Sequence, residues 1–77
     1  MNIIKRSFSI GATDGMTVEL HEDGQRIATA ELILPADDAD IDQCIYSLSA
    51  QASRHGIRIG GHKKLALFQS IEMGAVC

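Results

Sequence analysis

Residues 35 to 56 read PADDADIDQCIYSLSAQASRHG, and this stretch decides the fold. Pro35 cannot donate to a strand ladder, so it closes whatever extended segment precedes it. Asp37 or Asp38 then supplies a helix cap, and the acids that follow fall in the first turn, where the helix dipole stabilises a carboxylate. Ile41, Cys44, Ile45, Leu48 and Ala52 recur at the spacing of one buried helical stripe, with Asp42, Gln43, Ser47, Ser49 and Gln51 on the other side. Arg54 and His55 occupy the last turn, where cations are favoured, and Gly56 is a natural stop.

Upstream, Met16–Leu20 and Gln25–Leu34 form a hairpin around Asp23-Gly24. A two-residue loop sets Val18 opposite Thr29 and Met16 opposite Glu31, which mixes apolar and polar side chains on one face. A three-residue loop, Glu22-Asp23-Gly24, sets Val18 opposite Ala28 and Met16 opposite Ala30. The latter register is expected, because its apolar face continues through Leu32 and Leu34 and leaves Thr17, Glu19, His21, Ile27, Thr29 and Glu31 on the solvated side. Before it, Asn2–Ile10 alternates, with Ile4, Phe8 and Ile10 placed inward and Lys5, Ser7 and Ser9 outward. Arg6 interrupts the inward row. Gly11 to Gly15 then reads as a turn.

Downstream of the helix, Ile57-Arg58-Ile59 reads as a short strand, Gly60-Gly61-His62 as a tight turn and Lys64–Met73 as a last strand, with Gly74–Cys77 a loose end. Leu65, Leu67, Ile71 and Met73 alternate, yet Ala66 and Phe68 are apolar too, so this strand is expected at the centre of a sheet or at a contact between chains. The summed order is β-β-β-α-β-β: an α+β domain with an antiparallel sheet of about five strands and one helix on one face.

The totals bound the function. The chain has 77 residues, 45% of them apolar and 22% charged, enough for one small domain spanning 1–77 with a thin core. No run is long and apolar enough for a membrane helix or a signal peptide, so a cytoplasmic location is expected. Cys44 and Cys77 do not form the framework of a disulfide-stapled domain. No nucleophile motif, Walker loop or HExxH spacing occurs, and His21, His55, His62 and the cysteines lack metal-ligand spacing. The expectation is a chain that is no enzyme and binds no cofactor or metal.

The net charge of −3 is unevenly spread. Nine acids lie between Gly11 and Asp42 against one base, Arg26, whereas Gln43 to Lys64 carries Arg54, Arg58, Lys63 and Lys64 and no acid. Glu19, Glu22, Asp23, Glu31, Asp37, Asp38, Asp40 and Asp42 are candidates for docking on a basic protein surface; their bland alternative is solvated surface. Arg54, Arg58, Lys63 and Lys64 are candidates for a nucleic-acid or anion patch, against which stand an acidic pI and only three aromatic residues.

MTVELHEDGQRIATAEL, the helix DADIDQCIYSLSAQASRHG and the segment IRIGGHKKLALF together resemble the small phage-borne anti-CRISPR proteins of type I systems, over residues 16 to 72. The resemblance implies a non-enzymatic inhibitor that binds a Cas surveillance complex or nuclease and blocks target DNA or partner recruitment. It carries no motif by which a functional residue can be transferred. Two alternatives stand beside it: a small nucleic-acid-binding regulator using the basic patch, and a structural protein that homodimerises through its sheet.

Overall fold

A computed structural model describes residues 1–75. Three strands, β1 (Asn2–Ile10), β2 (Thr13–Glu22) and β3 (Gln25–Leu34), form an antiparallel meander in the order β1-β2-β3. Two helices follow, α1 (Asp38–Arg54) and α2 (Gly61–Ala75). Both pack on one face of the sheet, α1 along β3 and α2 against α1, β1 and β2. The fold is therefore α+β with an antiparallel sheet, but it has three strands and two helices rather than five strands and one.

The helix α1 forms as its sequence dictates. Asp37 is the N-cap, with the Asp40 N–H donating to its Oδ1 at 2.9 Å and its own N–H donating to Asp40 Oδ2 at 3.2 Å, a reciprocal capping box. Ile41, Cys44, Ile45, Leu48 and Ala52 are all buried. At the other end the Ile57 N–H reaches the Ala52 carbonyl and the Gly56 N–H that of Ser53, with Gly56 at φ 74°, which is a Schellman stop.

The β2–β3 hairpin keeps the expected faces and changes its register. Glu22 pairs with Gln25, so the loop is the two residues Asp23 and Gly24, both at positive φ (52° and 78°), a type I′ turn. A bulge then slips the ladder by one residue: His21 pairs with Arg26, but Leu20 pairs with Ala28. Val18 consequently faces Ala30 and Met16 faces Leu32, two residues beyond the pairing expected from a three-residue loop. The residue left over, Ile27, is buried in the core instead of facing solvent with Thr29 and Glu31.

In β1 the expected faces are reversed. Ile3, Lys5 and Ser7 pair with Leu20, Val18 and Met16, so they share the helix-covered face. Ile4, Arg6, Phe8 and Ile10 lie on the open face. Lys5 is accommodated because its Nζ reaches past the core to donate to the Ser70 carbonyl of α2 at 2.7 Å. Phe8 sits opposite Gly15 with its ring over that glycine, where any Cβ would overlap it. The turn between β1 and β2 is only Gly11-Ala12, and Thr13, Asp14 and Gly15 already belong to β2.

The segment after α1 is the largest correction. Ile57–Gly60 is an irregular connection, and the expected last strand is helix α2. Lys, Leu, Ala, Gln, Glu and Met are strong helix formers, and the segment from Lys63 to Met73 contains little else. Apolarity on both faces of the supposed strand is the signature of a helix, with Leu67 and Ile71 buried four residues apart and Leu65 and Met73 exposed. The expected Gly60-Gly61-His62 turn is the start of this helix: the Gly60 carbonyl accepts from the Lys64 N–H at 2.9 Å. Gly74 belongs to α2 as well, beside Met16 and Lys5. Cys77 lies outside the described residues; Cys44 is a buried free thiol whose ionisation burial pushes upward.

Candidate protein-docking site

The acids that cluster in sequence are divided by the fold into separate groups. Glu22 and Asp23 sit at the β2–β3 tip, at the opposite end of β3 from the start of α1, roughly 30 Å away for nine strand steps. Glu22 lies 3.7 Å from the Met1 amino group. Glu19, on the open face, accepts from His21 Nε2 at 2.9 Å and lies 3.8 Å from Arg26 Nη1. The His21 hydrogen bond holds the Glu19 carboxyl below the usual carboxylate range, opposed by partial desolvation and helped by Arg6 and Arg26. Glu19 and Glu22 thus have partners within the molecule.

The start of α1 is split by helical geometry. Asp38 and Asp42 are four residues apart and share one side of α1. Asp42 lines a groove with Tyr46, Lys64, Leu65 and Phe68, between the helices. Asp40 faces the other way. It lines a groove of about 520 Å³ between α1 and β3, whose walls are Ala30 to Ile33 on the strand and Ala39, Asp40, Gln43, Cys44 and Ser47 on the helix. Of the acidic candidates, Glu31 and Asp40 are thus the pair brought to one site, with the exposed Asp37 at the head of α1 beside it.

That groove has a backbone wall as well as side chains. Gln51 binds both main-chain groups of Thr29, accepting from its N–H at 3.0 Å and donating to its carbonyl at 2.7 Å. The Thr29 backbone therefore points away from β2, toward α1. In an antiparallel ladder alternate residues share that direction, so Glu31 and Ile33 also turn their N–H and C=O outward along the β3 edge. Among the described residues, no group pairs with them on that side.

The basic candidates are all exposed and follow one another through the end of α1 (Arg54), the connection (Arg58) and the first turn of α2 (Lys63, Lys64). The expected strand-turn-strand around Gly60-Gly61-His62 is instead the connection into α2. Lys63 instead lines a depression with Met1, Ile3 and Glu22. Among the described residues no three His, Cys, Asp or Glu side chains stand together in a way that would hold a metal ion, and no helix is long and apolar enough to cross a membrane.

The acids are legible in the sequence, and the groove is not. Ala30, Ala39 and Ser47 make it, because small side chains at those positions leave space between β3 and α1. The signal was available as a run of small residues on the facing sides of the strand and the helix. Comparison with protein-family models, with curated proteins and with solved structures finds no match for this chain.

Proposed function

We propose that this chain is a non-enzymatic inhibitor that acts by binding another protein, docking the acidic β3–α1 side of the molecule on a basic surface. The observation that carries this reading is that Glu31 and Asp40 both border one groove beside an open strand edge. Charge of this kind contributes speed and selectivity of encounter more than affinity. Asp37 and Asp40 also cap α1 through each other's backbone N–H groups, which fixes both carboxylates at the head of the helix.

The resemblance to type I anti-CRISPR proteins gives the partner its proposed identity, a Cas surveillance complex or nuclease, whose nucleic-acid-holding surfaces are basic. Co-purification with a Cascade-type complex and suppression of interference in a matching host test this. Failure to bind any Cas component would remove that partner.

A second reading has one observation in its favour. Helix α2 begins without a side-chain cap and carries His62, Lys63 and Lys64 in its first turn, following Arg54 and Arg58 with no acid between. That end of the molecule is suited to phosphate. Gel shifts at low and high salt separate the two, since a phosphate-dependent binder weakens steeply as salt rises.

A further inference from the structure

We infer that the partner segment binds by strand addition: an extended basic peptide pairs with the β3 edge at Glu31 and Ile33 and lies in the groove against α1. This rests on the reading of the β3–α1 side as a protein-docking face and specifies how that face works.

An edge strand with outward main-chain groups is a template for another strand, and proteins that do not use such an edge commonly blunt it. Strand β1, the opposite edge, carries Lys5 and Arg6 in its middle. On β3, among the described residues, the edge is closed at one point: Gln51 reaches across from α1 and occupies the Thr29 backbone. Immediately beyond it the chain leaves Glu31 and Ile33 open, and there the space between β3 and α1 widens into the groove. Gln51 acts as an end-stop that sets where an added strand begins.

The geometry specifies the occupant. Side chains of an added strand alternate between the two faces of the sheet. Those on the helix side enter a groove walled by Ala30, Leu32, Ala39 and Cys44, which suits small or branched apolar groups. The residue directly opposite Glu31 lies on the open face beside its carboxylate, where a cation is favoured and an acid opposed. Asp40 adds a second negative charge at the rim. A peptide alternating apolar and basic residues meets both requirements. A second copy of β3 does not: antiparallel pairing centred on Glu31 sets Glu31 against its own copy, and each acidic α1 start approaches an acidic edge.

The test uses the full chain, isotopically labelled, with the blocked peptide Ac-Lys-Val-Lys-Val-Lys-NH2 as probe. Expected are shifts and slowed hydrogen exchange at the Glu31 and Ile33 amides, with none at the outward groups of β1. Methylating the peptide's alternate backbone nitrogens is expected to weaken binding at least about tenfold, because those hydrogen bonds are lost while charge is kept. Ile33→Pro removes one outward N–H at an edge position that tolerates proline and is expected to act likewise; should that variant fail to fold, the methylated peptide still decides. Equal binding of both peptides, with shifts confined to the acidic side chains, overturns strand addition while leaving the acidic face as a docking surface. No binding of either peptide overturns both. Concentration-dependent protection of the same amides without peptide means that a second copy fills the edge, and overturns the basic occupant.

Discussion

The side-chain amide of Gln51 and the peptide backbone of Thr29 are paired through two hydrogen bonds, at 3.0 and 2.7 Å, which tie the last turns of α1 to the outer edge of the sheet. Gln51 Nε2 also lies 3.2 Å from Ser47 Oγ, one turn earlier on α1, which fixes the rotamer. Gln51→Ala should cost about 1–2 kcal/mol, since each hydrogen bond contributes of the order of 1 kcal/mol net. Urea unfolding measures the loss, and the Thr29 amide should lose protection against hydrogen exchange before its neighbours. An unchanged Thr29 exchange rate would mean that the pairing contributes nothing.

The row Phe8, Gly15 and Ile33 crosses the open face of the sheet, and the Phe8 ring takes the room that a side chain at position 15 would fill. Gly15→Ala should therefore cost about 1–3 kcal/mol by forcing the ring aside. In a Phe8→Ala background the same change should be neutral or stabilising, because alanine suits a strand better than glycine once the space is free. A double-mutant cycle on unfolding free energies reads this coupling directly.

Glu19 gives the acid limb of the stability profile a definite sign. Its carboxyl is held below the usual range by the His21 hydrogen bond, so in the intervening pH window the unfolded chain binds more protons than the folded one. The stabilisation is complete above the ordinary carboxylate range and disappears as pH falls through the lowered value. Thermal unfolding across acidic pH should show a shallower decline for Glu19→Gln than for the wild type. A parallel decline would indicate that other carboxylates control acid unfolding.

Helix α2 starts after Gly60, an N-cap residue with no side chain, and has Lys63 and Lys64 opposed to its dipole. Apart from its chain neighbours, no atom among the described residues lies within 4 Å of where a Cβ at Gly60 would sit. Gly60→Asp should stabilise the protein by about 0.3–1 kcal/mol through a cap and a favourable charge, less at high salt. Were Gly60-Gly61 the turn of a β-hairpin, the same change would give no gain.

How much of this was legible in the sequence depends on how local its causes are. Helix α1 was legible because its cap, stripe and stop are encoded within the segment itself: Asp37, the Ile41–Ala52 spacing and Gly56 agree without help from the rest of the chain. The sidedness of β2 and β3 was legible by parity alone. Their register was not, because the extra residue at Ile27 is chosen by the core it enters, and two different combinations of turn and bulge give the same parity. The reversal of β1 has the same origin. Ile4, Phe8 and Ile10 are more apolar than Ile3, Lys5 and Ser7, but the Gly11-Ala12 turn fixes the pairing and thereby turns the more apolar set to the open side. In α2 the alternation of Leu65 and Leu67 suggested a strand; helix propensity summed over the segment was the stronger and neglected signal. The acids of the candidate site were visible as charge, whereas the groove exists only once α1 lies beside β3.

Under the proposed function, the groove bordered by Glu31 and Asp40, and not the basic end of the molecule, makes the functional contact. The most direct measurement compares two variants for suppression of interference and for co-purification with the Cascade-type complex. One is Glu31→Lys with Asp40→Gln, which reverses the groove's charge while keeping a capping acceptor at position 40; the other replaces Arg54, Arg58, Lys63 and Lys64 with glutamine. Loss of both activities in the first and retention in the second is the expected result. Full activity in the first with loss in the second would contradict the claim and move the contact to the basic end.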